Sequence, residues 1–535
     1  MTVLAQVTPL NAPAIDYGAI APLLIILVAA CLAVLVEAFL PRHQRWPAQV
    51  VLSILALAAA GLALGIYAGN SSPQGITTVA DAIAVDRPTL FLWGTLLALG
   101  LGSILLIADR SVEPGGAFLA SAATRAVVGT GGGGGGTTGG GGGDRGYGSP
   151  DQAPTMQTEV FPFTLFALAG MMTFCAANDL LTMFVALEVL SLPLYLMCGL
   201  ARRRRLLSQE AAVKYFLLGA FASAFFLYGL ALLYGYAGSV RFTDIAAAAS
   251  GSQKSDALLL GGLALLVVGL MFKASVGPFH TWTPDVYQGA PTPVTAFMAA
   301  CTKVAAFGGV LRVLYVAFGD TRWEWRGVLW AIAIVSMVIG AVIGLTQTDV
   351  KRMVAYSSVA HAGFLLLGAM SITAAGTSGT LFYLLAYGFT TLAIFGVISL
   401  VRNADGEATH LSQWAGLAKR SPVVAGVMAF LLLALAGIPL TSGFTAKFAV
   451  FSAALADGMA PLVVIALIAS AVAAFFYLRV IVLMYFSEPA ADGPTVAVPG
   501  AFTTVAITLG VLVTLLLGIV PTLALGWAGG GTFVG

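Results

Sequence analysis

Long apolar segments recur along the whole chain, and they constrain its fold more than any other feature. Residues 258–272, for example, form a run of 15 residues without a charged side chain. A helix of about 20 apolar residues crosses the hydrocarbon core of a bilayer, which is ~30 Å thick. Hydrophobic residues make up 59% of the 535 residues and charged residues 9%, whereas soluble domains carry about 25% charged residues. The sequence therefore predicts an all-α polytopic membrane protein.

These segments predict about 14 transmembrane helices. Their approximate limits are 18–40, 48–69, 88–109, 159–178, 179–200, 209–237, 257–276, 291–317, 327–347, 352–370, 377–401, 422–455, 460–486 and 500–528. Loops on the side of the termini hold 5 Lys and Arg, whereas loops on the opposite side hold 14. Because Lys and Arg favour cytoplasmic loops, both termini are predicted to face away from the cytoplasm. Residues 1–13 have no basic stretch ahead of an apolar one, so no cleaved signal peptide is predicted.

Several kinds of site are missing from the sequence. The four cysteines lie singly in apolar spans, whereas iron–sulfur clusters need several converging thiolates. Only His280 and His361, of four histidines, lie in or near the membrane, which is too few for a pair of haems. No GxxxxGK[ST] motif occurs, so no P-loop for ATP is predicted. We therefore expect no redox centre and no nucleotide site on this chain.

Four ionisable side chains are predicted near the middle of the membrane. They are Glu188 in span five, Lys273 in span seven, Lys303 in span eight and Lys447 in span twelve. A charge at the bilayer centre costs roughly 2.5–3.5 kcal/mol on insertion scales, so such residues usually have a function. Purely structural roles remain the alternative: an ion pair for Glu188, Lys273 and Lys447, and a cation held by backbone carbonyls for Lys303.

Two of the lysines lie beside a predicted break in their helix. Gly277-Pro278 follows Lys273, and Gly437 and Pro439 precede Lys447. Paired interrupted helices in corresponding halves point to an inverted-repeat transport site, where free carbonyls and amides line a cavity. The spacing fits two five-helix repeats, spans four to eight and nine to thirteen. On this alignment Glu188 corresponds to His361.

The predicted repeats divide the chain into five parts. These are a three-helix block at 1–110, a Gly-rich cytoplasmic loop at 111–158, the repeats at 159–320 and 321–487, and a C-terminal helix at 488–535. The glycine tract within the loop, 129–149, cannot bury a core and is predicted to be a flexible tether, with a partner-binding element as the alternative.

The buried set suits proton transfer. A Glu188–Lys273 pair can load and release a proton as its geometry opens and closes, and Lys303, His361 and Lys447 can carry it onward through bound water. Supporting roles are predicted for Lys214, His280, Pro278 and Pro439, although Lys214 is close enough to the surface to snorkel and both histidines can be hydrogen-bonded core residues. No hydride or acyl chemistry is suggested.

Several motifs carry a resemblance to a known family. These are LEVLSLPLYLMCGL, EAAVKYFLLGAFASAFFLYG, FKASVGPFHTWTPDVYQGAPTPVTAFMAACTKVAAF, DVKRMVAYSSVAHAGF and AGIPLTSGFTAKF. They resemble the antiporter-like membrane subunits of bacterial respiratory complex I, the proton-pumping NADH:quinone oxidoreductase, which are related to Mrp-type cation/proton antiporters. The resemblance is close over 155–486 and looser at both ends. A lysine in span twelve is the pattern of subunit N rather than of subunit M.

The resemblance implies a membrane-arm subunit of fourteen helices in the bacterial plasma (inner) membrane. Its ionisable chain would be Glu188, Lys273, Lys303 and Lys447. Flavin (FMN), iron–sulfur clusters and the quinone site would belong to partner subunits, and the neighbours would be subunit M and small subunits of the K/J type, together with membrane lipid. Nucleic acid is not an expected partner. The glycine tract departs from the family pattern.

Two other functions remain open at this point. One is a subunit of an Mrp-type cation/proton antiporter or of a membrane-bound hydrogenase, in which the same helices serve a different energy source. The other is a passive scaffold whose buried charges form structural pairs. The span-twelve lysine and the DVYQGAPTP motif favour complex I over the antiporter.

Overall fold

The computed structural model describes residues 15–70, 74–112, 117–118, 157–201, 205–251, 256–403, 406–489 and 493–535. The glycine tract at 129–149 lies outside these residues, so its predicted role as a tether stays a prediction. Within the described ranges the chain is overwhelmingly helical, as predicted. Two small antiparallel sheets lie outside the membrane spans, one formed by β1 (Ile76–Thr78) and β2 (Ile83–Val85) and the other by three short strands near the second repeat.

The first part of the chain contains a three-helix block and five predicted spans. The block consists of α1 (Tyr17–Phe39), α2 (Arg42–Asn70) and α3 (Arg87–Ala108). The predicted first repeat contains α4 (Val160–Ala176), α5 (Leu180–Cys198), α6 (Arg205–Ala237), α7 (Phe242–Gly251), α8 (Asp256–Lys273), α9 (Trp282–Gly289) and α10 (Thr292–Ala317). The predicted joint at residues 178–179 is confirmed, because α4 ends at Ala176 and α5 begins at Leu180.

The second part repeats the pattern. Its helices are α11 (Arg322–Thr346), α12 (Val350–Met370), α13 (Ala374–Leu400), α14 (Leu417–Arg420), α15 (Pro422–Ala436), α16 (Ser442–Ala456) and α17 (Ala460–Phe486). The strands β3 (Val401–Asn403) and β4 (Gly406–Glu407) follow α13, and β5 (Thr495–Val496) completes their sheet in the order β4-β3-β5. The chain continues with α18 (Ala501–Ile519) and α19 (Thr522–Ala528), so the predicted last span is broken near residue 520.

Twelve helices in the described part of the chain are long and apolar enough to cross a membrane. The number fourteen therefore stays a prediction, which requires two further crossings. The 17-residue helix α4 and the interrupted pair α15–α16, of 15 residues each, are the candidates for them.

Both predicted helix breaks are present. Helix α8 ends at Lys273 and α9 begins at Trp282, with Ser275 in the left-handed region at φ 59° between them. Helix α15 ends at Ala436, and Gly437 follows at φ 89°, a conformation that glycine adopts without a steric penalty.

The second helices of the two predicted repeats begin in the same way. The side chain of Asp179 accepts a hydrogen bond from the Thr182 amide at the start of α5, and Asp349 accepts one from the Arg352 amide at the start of α12. Such N-caps satisfy amides that have no partner within the helix. If the caps are aligned, the residue that corresponds to His361 is Ser191, not Glu188.

Burial differs sharply among the long helices. Helices α10, α12 and α13 are almost wholly buried, whereas α2, α6 and α18 expose most of their apolar surface. In a bilayer such exposed apolar faces contact lipid or other membrane subunits. The buried helices carry Lys303, on α10, and His361, on α12, so these two polar side chains lie at the centre of the bundle.

Candidate proton-transfer site

The ammonium group of Lys273 lies among hydroxyl groups. Its Nζ donates to Ser191 Oγ at 2.8 Å and to the Tyr215 hydroxyl at 3.2 Å, and it is almost fully buried. It also lies 5.9 and 5.4 Å from the ring centroids of Tyr195 and Tyr215, within the range of a cation–π interaction. The end of α8 therefore places the amine against α5 and α6.

Glu188 does not form a direct ion pair with Lys273, because no nitrogen–oxygen contact of 4.0 Å or less joins them in the described chain. The Glu188 carboxylate instead accepts a hydrogen bond from Ser223 on α6, at 2.5 Å. Ser191, which binds Lys273, follows Glu188 by one turn of α5. The predicted Glu188–Lys273 pair is therefore not a direct ion pair in this structure. The two groups lie near each other because Ser191, which contacts the amine, is on the same helix as Glu188.

Lys303 connects the two predicted repeats. Its Nζ donates to the carbonyl oxygen of Ser358 on α12, at 2.7 Å, and lies 5.4 Å from the ring centroid of Tyr387 on α13. A five-residue π-helical segment, Met298–Thr302, directly precedes it in α10. Such segments change the direction in which the following side chains point and often occur at functional sites.

His361 is held by two tyrosines. Its Nδ1 lies 2.7 Å from the Tyr383 hydroxyl, and its Nε2 lies 3.2 Å from the hydroxyl of Tyr477, which also contacts Ser357. Both ring nitrogens are therefore hydrogen-bonded, and the tautomer decides which of them donates. A buried imidazole between two hydroxyls can pass a proton from one side of its ring to the other.

The broken helix supplies most of the partners of Lys447. Its Nζ donates to the carbonyl oxygens of Leu435 and Ala436 and to Ser470 Oγ, each at 2.9 Å. These carbonyls belong to the last turn of α15, where the helix leaves them without an internal partner. A small pocket of about 220 Å³, solvent space included, lies beside the break and is lined by His361, Tyr383 and Leu435, among others.

The predicted supporting residues lie in three different kinds of surroundings. Lys214 is partly exposed and forms ion pairs with Glu210 at 2.7 Å and Asp285 at 2.8 Å. His280 is buried beside the Tyr356 ring, and its Nδ1 has no hydrogen-bond partner in the described chain. Pro278 and Pro439 lie within the two breaks.

Asp285 connects the two predicted repeats outside the apolar spans. It accepts from Lys214 on α6 and from Arg352 on α12, at 2.8 and 2.6 Å. Partial burial raises the pKa of Asp285, but the hydrogen bonds from Lys214 and Arg352 outweigh it and hold that pKa below its usual value. Gln288 extends the contact, because its amide donates to Asp349 at 3.1 Å. The first four residues of the DVYQGAPTP motif, 285–288, thus hold α9 against α12.

The sequence did not indicate most of the direct partners of the lysines and of His361. Ser191, Tyr215, Ser470, Tyr383 and Tyr477 are hydroxyl residues in apolar helices, where they are common and inexpensive to bury. Helical spacing from Glu188 to Ser191 was an available signal for Ser191. Together, the described residues form a discontinuous series of amines, an imidazole and hydroxyls across both predicted repeats. Such groups exchange protons, and the described chain contains no cluster of three or more His, Cys, Asp or Glu able to hold a metal.

Comparison with known proteins identifies the family. Residues 177–514 match the family model described as "NADH:quinone oxidoreductase/Mrp antiporter, TM". A NADH-quinone oxidoreductase subunit N from Saccharopolyspora erythraea is 74% identical over 522 residues, which cover 98% of this chain and 99% of that protein. The chain belongs to the subunit N family of NADH-quinone oxidoreductases. The family resemblance expected from the motifs is thereby confirmed.

Solved structures show the same architecture. A chain of respiratory complex I from Thermus thermophilus is 30% identical, with a TM-score of 0.74 over 96% of this chain and 100% of that one. A chain of the Mrp complex from Dietzia sp. is 22% identical, with a TM-score of 0.75 over 96% of this chain and 97% of that one. At that identity the likeness to the Mrp complex concerns the fold alone. The antiporter-like membrane fold is therefore confirmed.

Proposed function

We propose that this chain is a membrane-arm subunit of NADH:quinone oxidoreductase that moves protons through its buried amines and imidazole. The observation that carries the proposal is the arrangement of Lys273, Lys303, His361 and Lys447 in the interior of both predicted repeats. All four are buried; Lys273, His361 and Lys447 are hydrogen-bonded to hydroxyl groups, and Lys303 donates to the carbonyl oxygen of Ser358. Membership of the subunit N family supports the assembly.

Energy for the transport comes from the partner subunits in this proposal. Those subunits hold the FMN, the iron–sulfur clusters and the quinone site, and their redox steps act on this chain through conformational or electrostatic changes along the membrane arm. The neighbours are subunit M and small subunits of the K/J type in the bacterial plasma membrane. The bias of Lys and Arg between the loops supports an orientation with both termini on the non-cytoplasmic side.

The first test replaces the lysine that joins the two predicted repeats. Lys303→Met keeps a long apolar side chain but removes the exchangeable proton. Reconstituted in liposomes, the assembled complex should oxidise NADH with about tenfold less proton transport through this subunit's path. Arg479→Met is the matched control, because Arg479 is also a cation within a long helix but is exposed and bonded to the Leu345 carbonyl. Full transport by the Lys303→Met complex would contradict the proposal.

A second test asks which machinery the chain serves. The tagged chain is extracted gently from its native membrane, and the proteins that accompany it are identified by mass spectrometry. Dehydrogenase subunits with flavin and iron–sulfur clusters, together with NADH:quinone activity, are the expected result. If only other antiporter-type membrane subunits accompany the chain, the energy source assigned here is wrong.

A further inference from the structure

A charge pair formed by Glu407 and Lys351 lies on the face opposite the termini, outside the lysine series. Glu407, on β4, is 19% exposed at its side chain. It lines a cavity of about 400 Å³, solvent space included, together with Asp109, Arg402 and Thr503. Asp109 follows α3, Arg402 follows α13, and Thr503 lies at the start of α18. The cavity therefore lies on the predicted cytoplasmic face.

Residues at the ends of two central helices contact the Glu407 carboxylate. One carboxylate oxygen lies 2.5 Å from Nζ of Lys351, which is only 3% exposed, and the other accepts from Thr292 Oγ1 at 2.5 Å. Lys351 is the second residue of α12, and Thr292 is the first of α10. The carboxylate therefore stands between water and the ends of the two helices that hold Lys303.

The same two helices lead from Glu407 to Lys303. Helix α10 carries both Thr292 and Lys303. Helix α12 carries Lys351 and, seven residues later, Ser358, whose carbonyl oxygen binds Lys303. Seven residues are about two helical turns, so Lys351 and Ser358 lie on the same side of α12 and about 10 Å apart along it.

Unpartnered hydroxyls lie around Lys303. The hydroxyl groups of Ser358, Tyr387 and Thr391 are buried and have no hydrogen-bond partner in the described chain. Tyr387 and Thr391 are one turn apart on α13, and the Tyr387 ring lies 5.4 Å from Lys303 Nζ. Buried polar groups without a protein partner commonly bind ordered water. These hydroxyls are therefore suited to hold water molecules beside Lys303.

We propose that Glu407 is a proton inlet that delivers protons from the predicted cytoplasmic face along α10 and α12 to Lys303. This inference rests on the proposed function. A proton from water binds a Glu407 oxygen as Lys351 moves away. It then passes to the next water molecule while the carboxylate reforms its contact with Lys351. One proton enters and one leaves, and no electron is transferred.

The contact with Lys351 acts as a gate in this inlet. Partial burial raises the pKa of Glu407, but the Lys351 ammonium and the Thr292 hydroxyl outweigh it and hold that pKa below its usual value. While the pair is closed, Glu407 therefore remains ionised. Arg402 also lowers the pKa of Glu407, so separation of Lys351 removes the larger of two favourable charges, and the carboxylate binds a proton more readily when the gate is open.

The test compares three variants in the complete complex, reconstituted in liposomes, with NADH oxidation and proton transport measured together. Glu407→Gln keeps an oxygen for Thr292 but removes the titratable group, and transport per NADH oxidised through this subunit's path should fall about tenfold. Glu407→Gln combined with Lys351→Met removes both charges, so it avoids a buried cation without a partner. Glu488→Gln is the matched control, since Glu488 is an exposed partner of Lys419 outside the cavity, and it should not change transport.

The double variant separates an inlet from a structural ion pair. An inlet requires a titratable carboxylate, so the double variant should remain slow even where its assembly is normal, whereas Glu407→Asp should retain part of the transport. Normal transport by the double variant would overturn the inlet. If Lys303→Met abolishes transport and Glu407→Gln leaves it intact, only the inlet is wrong. If Lys303→Met also transports normally, the proposed function itself fails.

Discussion

The surroundings of Lys273 and Lys447 differ, although both lysines lie beside a broken helix. Lys273 precedes its break and donates to two side-chain hydroxyls, Ser191 and Tyr215. Lys447 follows its break and donates to two main-chain carbonyls, Leu435 and Ala436, as well as to Ser470. The first site is thus built from side chains of neighbouring helices, and the second from the broken helix itself.

This difference separates two uses of a helix break. In the second repeat the break supplies free carbonyls that accept hydrogen bonds directly from the amine. In the first repeat the break reorients the chain, so that α9 brings Asp285 to Lys214 and Arg352. Side-chain hydroxyls can rotate to a new partner, whereas the carbonyls at a helix end are fixed. We therefore expect the amine of Lys273 to be released more readily than that of Lys447.

The largest difference in stability between the two sites is expected when each lysine is replaced by methionine. Lys447→Met leaves two buried main-chain carbonyls without their donor, at a cost of about 1–3 kcal/mol each. Lys273→Met leaves hydroxyls that can form other hydrogen bonds, so its cost should be smaller. Thermal unfolding of the two purified variant complexes should show the lower midpoint for Lys447→Met. Equal midpoints would contradict the distinction between the sites.

A second comparison removes one serine from each site. Ser191→Ala takes away one of two hydrogen bonds of Lys273, and a hydrogen bond to a charged group contributes about 1.5–3 kcal/mol. Ser470→Ala leaves the two carbonyl bonds of Lys447 in place. Proton transport per NADH oxidised should therefore fall about tenfold in the first variant and by less than about threefold in the second. The reverse order would show that the carbonyls do not hold Lys447.

A smaller effect is expected from a methyl group at the second break. Gly437 has φ 89°, and an added Cβ would lie 3.1 Å from Cδ of Lys447. Gly437→Ala should therefore cost about 1–2 kcal/mol of stability and disturb the amine. Gly426→Ala, in α15, is the control, because its Cβ would meet only the Tyr485 hydroxyl of α17, at 3.7 Å. Denaturation should show a loss for Gly437→Ala and none for Gly426→Ala.

The smallest effect is expected from Tyr215→Phe. The substitution removes the longer hydrogen bond of Lys273, at 3.2 Å, but keeps the ring that stacks on Trp282 with centroids 4.5 Å apart. The cation–π contact with Lys273 also remains. Proton transport should fall by less than about threefold, because the longer bond is the weaker of the two hydrogen bonds of Lys273 and the shorter one, to Ser191, remains. A loss as large as that of Ser191→Ala would show that the tyrosine hydroxyl, not the serine, is the main partner.

The sequence predicted those features of the site that are energetically unfavourable within a membrane span. A lysine in an apolar span and a Gly–Pro pair within a helix are both unfavourable in lipid, so Lys273, Lys447 and the two breaks could be recognised from the residues alone. The sequence carries no such signal for how neighbouring helices are rotated and spaced. For this reason the sequence predicted a Glu188–Lys273 pair but not its hydrogen bonds, in which Glu188 accepts from Ser223 and Lys273 donates to Ser191.

Other parts of the site could not be read from the residues because nothing about them is unusual. Lys351 and Glu407 are 56 residues apart in polar stretches at the membrane surface, where charges are common. Only the packing of β4 against the ends of α10 and α12 brings them together. The aligned N-caps Asp179 and Asp349 are a local signal that was available, and they place Ser191 at the position of His361.

The most direct measurement of the central claim is proton transport per NADH oxidised by a complex that carries both Glu188→Gln and Lys273→Ala. Assembly is verified by the presence of all subunits, and NADH oxidation is measured in the same liposomes. Proton transfer through the first repeat predicts a lower ratio of protons to NADH in a fully assembled complex. A normal ratio would show that these residues have structural roles and that the chain does not load protons there.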